Sequence, residues 1–321
     1  MPITRVASIL ALVTIAVAST HADVTTRQRT QLKFEGMLGR VVGLAGGGAA
    51  ADGITSNVAV KGSRKADLND RTGRIVDLSE EKVYELDVRK KEYRVTTFAE
   101  LREQWKKAKA DAEKRAQDMP AEEREGAAQS GQQLEVTVDV KETGTTKSIA
   151  GHQAKQVIVT LKAFEKGKTL EESGGMVMTN DVWVAPRVAA VDEIGQFEMK
   201  FVKAIYGDDF TAAAESMAAA LAMYPGLQDM LKQMEDRMRA LDGTTMATTM
   251  KIETVKSAEA MKQSSAPPSG GLGGALARRL GAGRKPEQRS LLVTMANETM
   301  SIDARASDAD VAIPAGFKEK K

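Results

Sequence analysis

No cysteine occurs among the 321 residues of this chain, and that absence removes three kinds of chemistry together. There can be no disulfide framework, no thiolate nucleophile or ligand, and no cysteine to carry a lipid after a leader. Histidine is almost as scarce, with only His21 and His152. Once the leader described below is removed, His152 is the only one left, so a zinc site built on histidine and cysteine is excluded. A serine or threonine nucleophile activated by histidine would depend on that one residue, and its setting, "AGHQA", reads as a turn entering a strand. Charge of one sign is also lacking: 46 basic against 44 acidic residues give a net +2. Nothing in that balance steers the chain toward nucleic acid or anionic lipid. Beyond the N-terminus no apolar run approaches the roughly 20 residues that span a bilayer.

What is present begins with "MPITRVASILALVTIAVASTHA". One basic residue, Arg5, precedes an apolar run from Val6 to Ala18, and small residues close the segment. This order predicts a secretory signal peptide over residues 1–22, cut after Ala22 or after Ala18. The expectation is a periplasmic or secreted protein of ~300 residues, enough for one large domain or two small ones. Without disulfides, it must be held by its core alone.

The stretch "GLAGGGAAADG", Gly43 to Gly53, invites a comparison with phosphate-binding loops. A Walker loop needs Gly-Lys-Ser/Thr after its glycines, and "AAADGITSN" has no basic residue. A Rossmann loop lies between a strand and a helix, whereas this one leads into a strand. It reads as a flexible joint.

Strand patterns dominate. In "VTTRQRTQLKF", Arg27, Arg29, Gln31 and Lys33 alternate with Val24, Thr26, Leu32 and Phe34. "GITSNVAVKG" places Ile54, Val58 and Val60 on one side, and "RIVDLSEEKVYELDVRKKEYRVTTF" reads as a three-strand meander with turns at Ser79–Glu81 and Arg89–Lys91. Successive hairpins make the sheet antiparallel. "QLEVTVDVKE", "HQAKQVIVTLKAF", "GMVMTNDVWV", "TTMATTMKIETV" and "RSLLVTMANETMSID" continue the theme. Thr97 and Glu100 have capping-box spacing, followed by an apolar stripe of Phe98, Leu101, Trp105, Ala108 and Ala112. Helices are expected over residues 98–116, 187–206, 209–224 and 225–241, and flexible segments at about 43–53, 117–132 and 264–288. The carboxylate pairs Asp208–Asp209 and Glu171–Glu172 suit helix caps or turns. No calcium-loop pattern occurs, and no cofactor or metal is implied.

Most of the 16 methionines lie between Met176 and Met261. Such a concentration fits a core filled with adaptable side chains, or a pliable apolar pocket that repacks around acyl chains.

Residues 53–101 resemble an uncharacterised exported bacterial family carrying a domain of unknown function. The resemblance rests on Lys61-Gly62, Arg64, Ile75, Asp77-Leu78, Tyr84, Asp87, Lys91 and Tyr93, with "TKSIAGHQAKQVIVTL", "NDVWVAP" and "VAIPAGF" farther on. Its layout is similar to that of the outer-membrane lipoprotein-carrier (LolA-like) superfamily. The resemblance implies one α+β domain over residues 23–321, a strongly curved antiparallel sheet (an open half-barrel) with the helices on its concave face. It further implies a non-enzymatic carrier of apolar ligand, lipid or lipoprotein acyl chains, in the cell envelope. The expected lining residues are Trp105, Trp183, Phe197, Phe201, Met230, Met234 and Met238. A monomer is expected, with no nucleic-acid partner and no transmembrane segment after leader removal. An envelope sensor or assembly factor that binds a protein in the same groove is the alternative.

Overall fold

The computed structural model describes residues 23–36, 39, 52–118, 120, 134–207, 242–265 and 287–320. The leader, the helices expected at 209–224 and 225–241 with Met230, Met234 and Met238, and the pair Asp208–Asp209 lie outside the described residues. So does most of the joint at 43–53, of the linker at 117–132 and of the loop at 264–288.

Two antiparallel meanders share one sheet. The first runs β1 (Val24–Phe34), β2 (Ile54–Lys61), β3 (Arg64–Leu68), β4 (Thr72–Asp77), β5 (Lys82–Asp87) and β6 (Glu92–Thr97). Helix α1 (Phe98–Asp118) follows. The second meander runs β7 (Leu134–Ile149), β8 (His152–Glu165), β9 (Gly175–Ala185), β10 (Thr244–Val255) and β11 (Arg289–Asp303). Two helices interrupt it, α2 (Leu170–Ser173) before β9 and α3 (Ala189–Tyr206) after it, and α4 (Ala258–Ser265) precedes β11. Pairing of β1 with β11 joins the meanders at the centre. A 3-10 turn at Asp308–Val311 and a two-residue strand β12 (Lys318–Glu319), parallel to β6, end the order. The sheet has twelve strands in the order β12-β6-β5-β4-β3-β2-β1-β11-β10-β9-β8-β7.

Local chemistry explains most of these elements. Thr97 and Glu100 form the expected capping box: the Thr97 N–H donates to Glu100 Oε2 at 2.7 Å and the Glu100 N–H to Thr97 Oγ1 at 3.2 Å. Glu172 closes a second box with Thr169 at the start of α2. Glu81 and Lys91 take positive φ in the two turns that the sequence pattern marks, and Ala150 (φ 48) with Gly151 (φ 83) makes the tight turn before His152. Strand β3 is not apparent from alternation, because Ala66 is its one buried residue. Its boundary is chemical instead: Asn69 Oδ1 accepts from the N–H groups of Arg71 and Thr72, at 2.8 and 2.9 Å, and so turns the chain into β4.

The expectation of a strongly curved half-barrel is corrected: the sheet is open and neither closed nor strongly curled. Curling needs frequent bulges and one dry face. Here the registers slip at few places, between Arg27 and Gln28, Glu142 and Thr146, Thr245 and Ala247, and Ile252 and Glu253. Moreover the β2–β5 region is packed on both faces. On one face Val24, Val60, Val76 and Val83 meet Phe98 of α1 and Phe197, Phe201 and Ile205 of α3. On the other, Ala59, Ala66, Ile75, Tyr84 and Leu86 meet Val311, with Ala306, Ile313 and Phe317 of the C-terminal segment packed against them. With apolar cover on both sides, neither face is the inside of a barrel.

Candidate ligand-binding face

Helix α3 lies across β1, β2 and β11, and α1 lies against α3 and β6. Stepping by four, α3 turns Phe197, Phe201 and Ile205 inward, and all three are buried. Phe98 meets Phe201 edge to face, with centroids 5.3 Å apart, and Arg74 stacks on the Phe201 ring at 5.1 Å. Trp105 and Tyr206 form a second edge-to-face pair at 4.9 Å. Arg102 ties the ends together, with Nη1 donating to the Ala204 carbonyl at 2.8 Å and Nη2 pairing with Glu81 at 3.2 Å. Lys65 and Glu198 pair between β3 and α3. Of the expected lining residues, Trp105, Phe197 and Phe201 therefore come together, packed on neighbouring protein side chains. Beyond Trp105, the rest of the α1 stripe, Ala108 and Ala112, is exposed.

Trp183 sits elsewhere. Its register row runs through Ala247, Glu298 and Arg29. In β1, Arg29 alternates with Val24, so Trp183 is on the side opposite to α1 and α3. Lys147 Nζ lies 4.2 Å over its ring, and Ile149, Ala154, Ala185 and Met246 form the adjoining cluster. On the same side Gln156 bridges Thr143 and Asp181, at 2.9 and 3.0 Å.

On the helix side of the second meander, registers bring together a feature that no single stretch of sequence reveals. One row crosses six strands through Val140, Val159, Asn180, Met250, Met295 and Leu32. The next runs through Val138, Leu161, Met178, Ile252, Val293 and Phe34. Apart from Asn180, whose buried Oδ1 has no hydrogen-bond partner, every position is apolar. Burial is partial: Val138 is 8 % exposed and Met295 40 %, while Leu134 and Met176 at the margin reach 54 % and 47 %. Directly behind the two rows the sheet is mostly polar, with Asp139, Lys141, Thr160, Thr179, Thr249 and Lys251, while Val177 and Val255 on that side pack under Leu170. Alternation within the strands was the signal; the alignment of six strands in register was needed to turn it into a face.

The strongest electrostatics belong to a turn. Asp77 is 3 % exposed and sits 3.0 Å from Arg64 Nε. Burial works against its ionisation, but the Ser79 hydroxyl, the N–H groups of Glu80 and Ser79, and the Arg64 charge outweigh it and hold its pKa below the usual value of 3.8. Nearby, burial and a 2.7 Å hydrogen bond to Glu80 push the Tyr84 hydroxyl up to about 12. These groups are knotted to each other rather than open to a substrate. His152 opens β8, half-buried, as its sequence setting suggests. Among the described residues no group of histidine, aspartate and glutamate is arranged to hold a metal ion, and no helix is long and apolar enough to cross a membrane.

No protein-family model, no curated protein and no solved structure matches this chain.

Proposed function

We propose that this is an exported, non-enzymatic binding protein of the cell envelope whose ligand is an acyl chain of a lipid or lipoprotein, held on the helix side of β7–β11. The observation that carries this reading is the pair of apolar rows. A surface of Val, Leu, Ile, Met and Phe crossing six strands and only partly buried is contiguous, unlike the singly scattered apolar residues of an ordinary surface. Methionines at Met178, Met250 and Met295 give it a deformable floor. The similarity to the LolA-like carriers and the leader at residues 1–22 belong to the same proposal. In it, Phe197 and Phe201 form the wall at the α3 end, and Trp105 stands at the outer margin of that wall.

The test is saturable binding of oleate, read by displacement of anilinonaphthalene sulfonate from the mature protein. The expected variant is Leu161→Gln with Ile252→Gln, two positions flanking Met178 in one row. Each amide placed on a dry surface costs ~1–3 kcal/mol, so the pair weakens oleate binding by about tenfold or more. A flat titration of folded protein, or unchanged affinity in the double variant, defeats the proposal. The open, not strongly curled sheet also favours a second reading, a protein partner on the same face. Its mark is a flat oleate titration together with an envelope protein whose capture is lost in that variant.

A further inference from the structure

We propose that a cleft beside the β3–β4 turn, separate from the apolar face, is a binding site for an organic oxyanion, a carboxylate or phosphate monoester gripped between Arg27 and Arg71. The cleft arises from a step in the sheet. Strand β3 pairs with β2 only as far as Leu68 opposite Asn57, whereas β2 begins at Ile54. Along that overhang β2 faces the turn at Asn69–Arg71 in place of a strand. The resulting space, 430 Å³, is lined by Arg27, Ile54, Asn57, Leu68, Asp70 and Arg71 among others. That is within the range of small-molecule sites and too large for a bare inorganic ion.

Its charge is out of balance. Arg27, Asn57 and Leu68 form one register row across three strands, which sets Arg27 at the cleft. Among the described residues the Arg27 side chain has no ion pair or hydrogen bond. Arg71 is held in place from both directions: its N–H donates to Asn69 Oδ1 at 2.8 Å, and its carbonyl accepts from the Val88 N–H at 2.9 Å. Its guanidinium is nevertheless poorly matched. Arg71 Nε is buried without a hydrogen-bond partner although the side chain as a whole is 40 % exposed, and Asp70, the one carboxylate lining the cleft among the described residues, stands 3.9 Å away with its own side chain 73 % exposed. A buried donor left unmade is costly, and a guanidinium fork matches the paired oxygens of carboxylate or phosphate. Ile54 and Leu68 offer the organic part an apolar rest, which favours phenyl phosphate or hexanoate over inorganic phosphate.

Calorimetry on the mature protein with phenyl phosphate and hexanoate, and flotation with vesicles containing phosphatidic acid, tests the site. At least one probe should bind saturably, and either Arg27→Ala or Arg71→Ala should weaken it by about tenfold or more. Arg71→Lys should rescue little, because an ammonium lacks the fork, while Arg187→Ala, remote and exposed, should change nothing. Arginine-dependent binding to vesicles alone assigns the oxyanion to a lipid headgroup; arginine-dependent binding of the soluble probes assigns it to a free ligand. Absence of binding by all probes, or equal affinity in both alanine variants with melting temperatures unchanged, overturns the site.

Discussion

The two halves of the sheet solve the burial problem in opposite ways. Strands β2–β6 are five to eight residues long, and at β2–β5 they bury side chains of both parities: Val60 and Val76 under the helices, Ala59 and Ile75 under the C-terminal segment. Strands β7–β11 run from 11 to 16 residues, and along the two apolar rows they alternate, apolar toward the helix side and mostly polar behind it. The first half behaves as the middle layer of a three-layer core. The second behaves as a platform, and its long strands add apolar area faster than α3, lying on β1, β2 and β11, covers it. Stability should therefore be concentrated in one half and binding in the other.

The sharpest way to break that division is to cut into the packed half. Phe201→Ala removes a ring buried against Phe98, in the cluster that holds Val24, and should cost ~3–5 kcal/mol in urea unfolding. Leu161→Ala, in the half-buried row, should cost only ~1–2 kcal/mol, because part of its surface is already wet. Equal losses would mean that both halves are core, and the contrast would fail.

Asp77→Ala comes next, at ~2–3 kcal/mol, since it leaves the N–H groups of Ser79 and Glu80 and the Arg64 charge without their acceptor. The dependence on pH has a definite sign. The folded pKa lies below 3.8, so the carboxylate's contribution is present above that value and disappears as pH falls through the folded pKa. The gap between wild type and Asp77→Asn in chemical unfolding should shrink in that window. A gap constant from neutral pH into acid would show that Asp77 acts by shape alone.

Much of this architecture is written in local pattern. The capping box at Thr97 and Glu100, the turns at Glu81 and Lys91, and the bounds of β10 and β11 follow from residue chemistry within a few positions. Two things do not. Strand β3 has a single buried side chain, so alternation is silent, and its evidence is the pair of turns that bracket it. Curvature and faces are non-local as well: whether Val159 meets Met250 across Asn180 depends on the register of three strands far apart in the chain. Trp183 shows the same limit. Its strand is legible, but its side of the sheet is not, because parity must be carried through β10 and β11 to β1.

The smallest expected effect tests that parity. Lys147 over the Trp183 ring is a half-exposed cation–π contact, and Lys147→Ala should cost only ~0.5–1 kcal/mol. Its value is spectroscopic. The chain has two tryptophans, so Trp105→Phe leaves Trp183 as the sole reporter. In that background Lys147→Ala should shift the emission, because the ammonium no longer sits on the indole. Saturating oleate should not, because Trp183 shares its row with Glu298 and Arg29 on the polar side. The complementary Trp183→Phe variant leaves Trp105 beside Tyr206, on the side where the acyl chain is proposed to lie, and there oleate should move the emission. If oleate instead moves Trp183 and leaves Trp105 still, the ligand lies on the opposite side of the sheet, and the platform of Val, Leu and Met is a folding surface rather than a binding one.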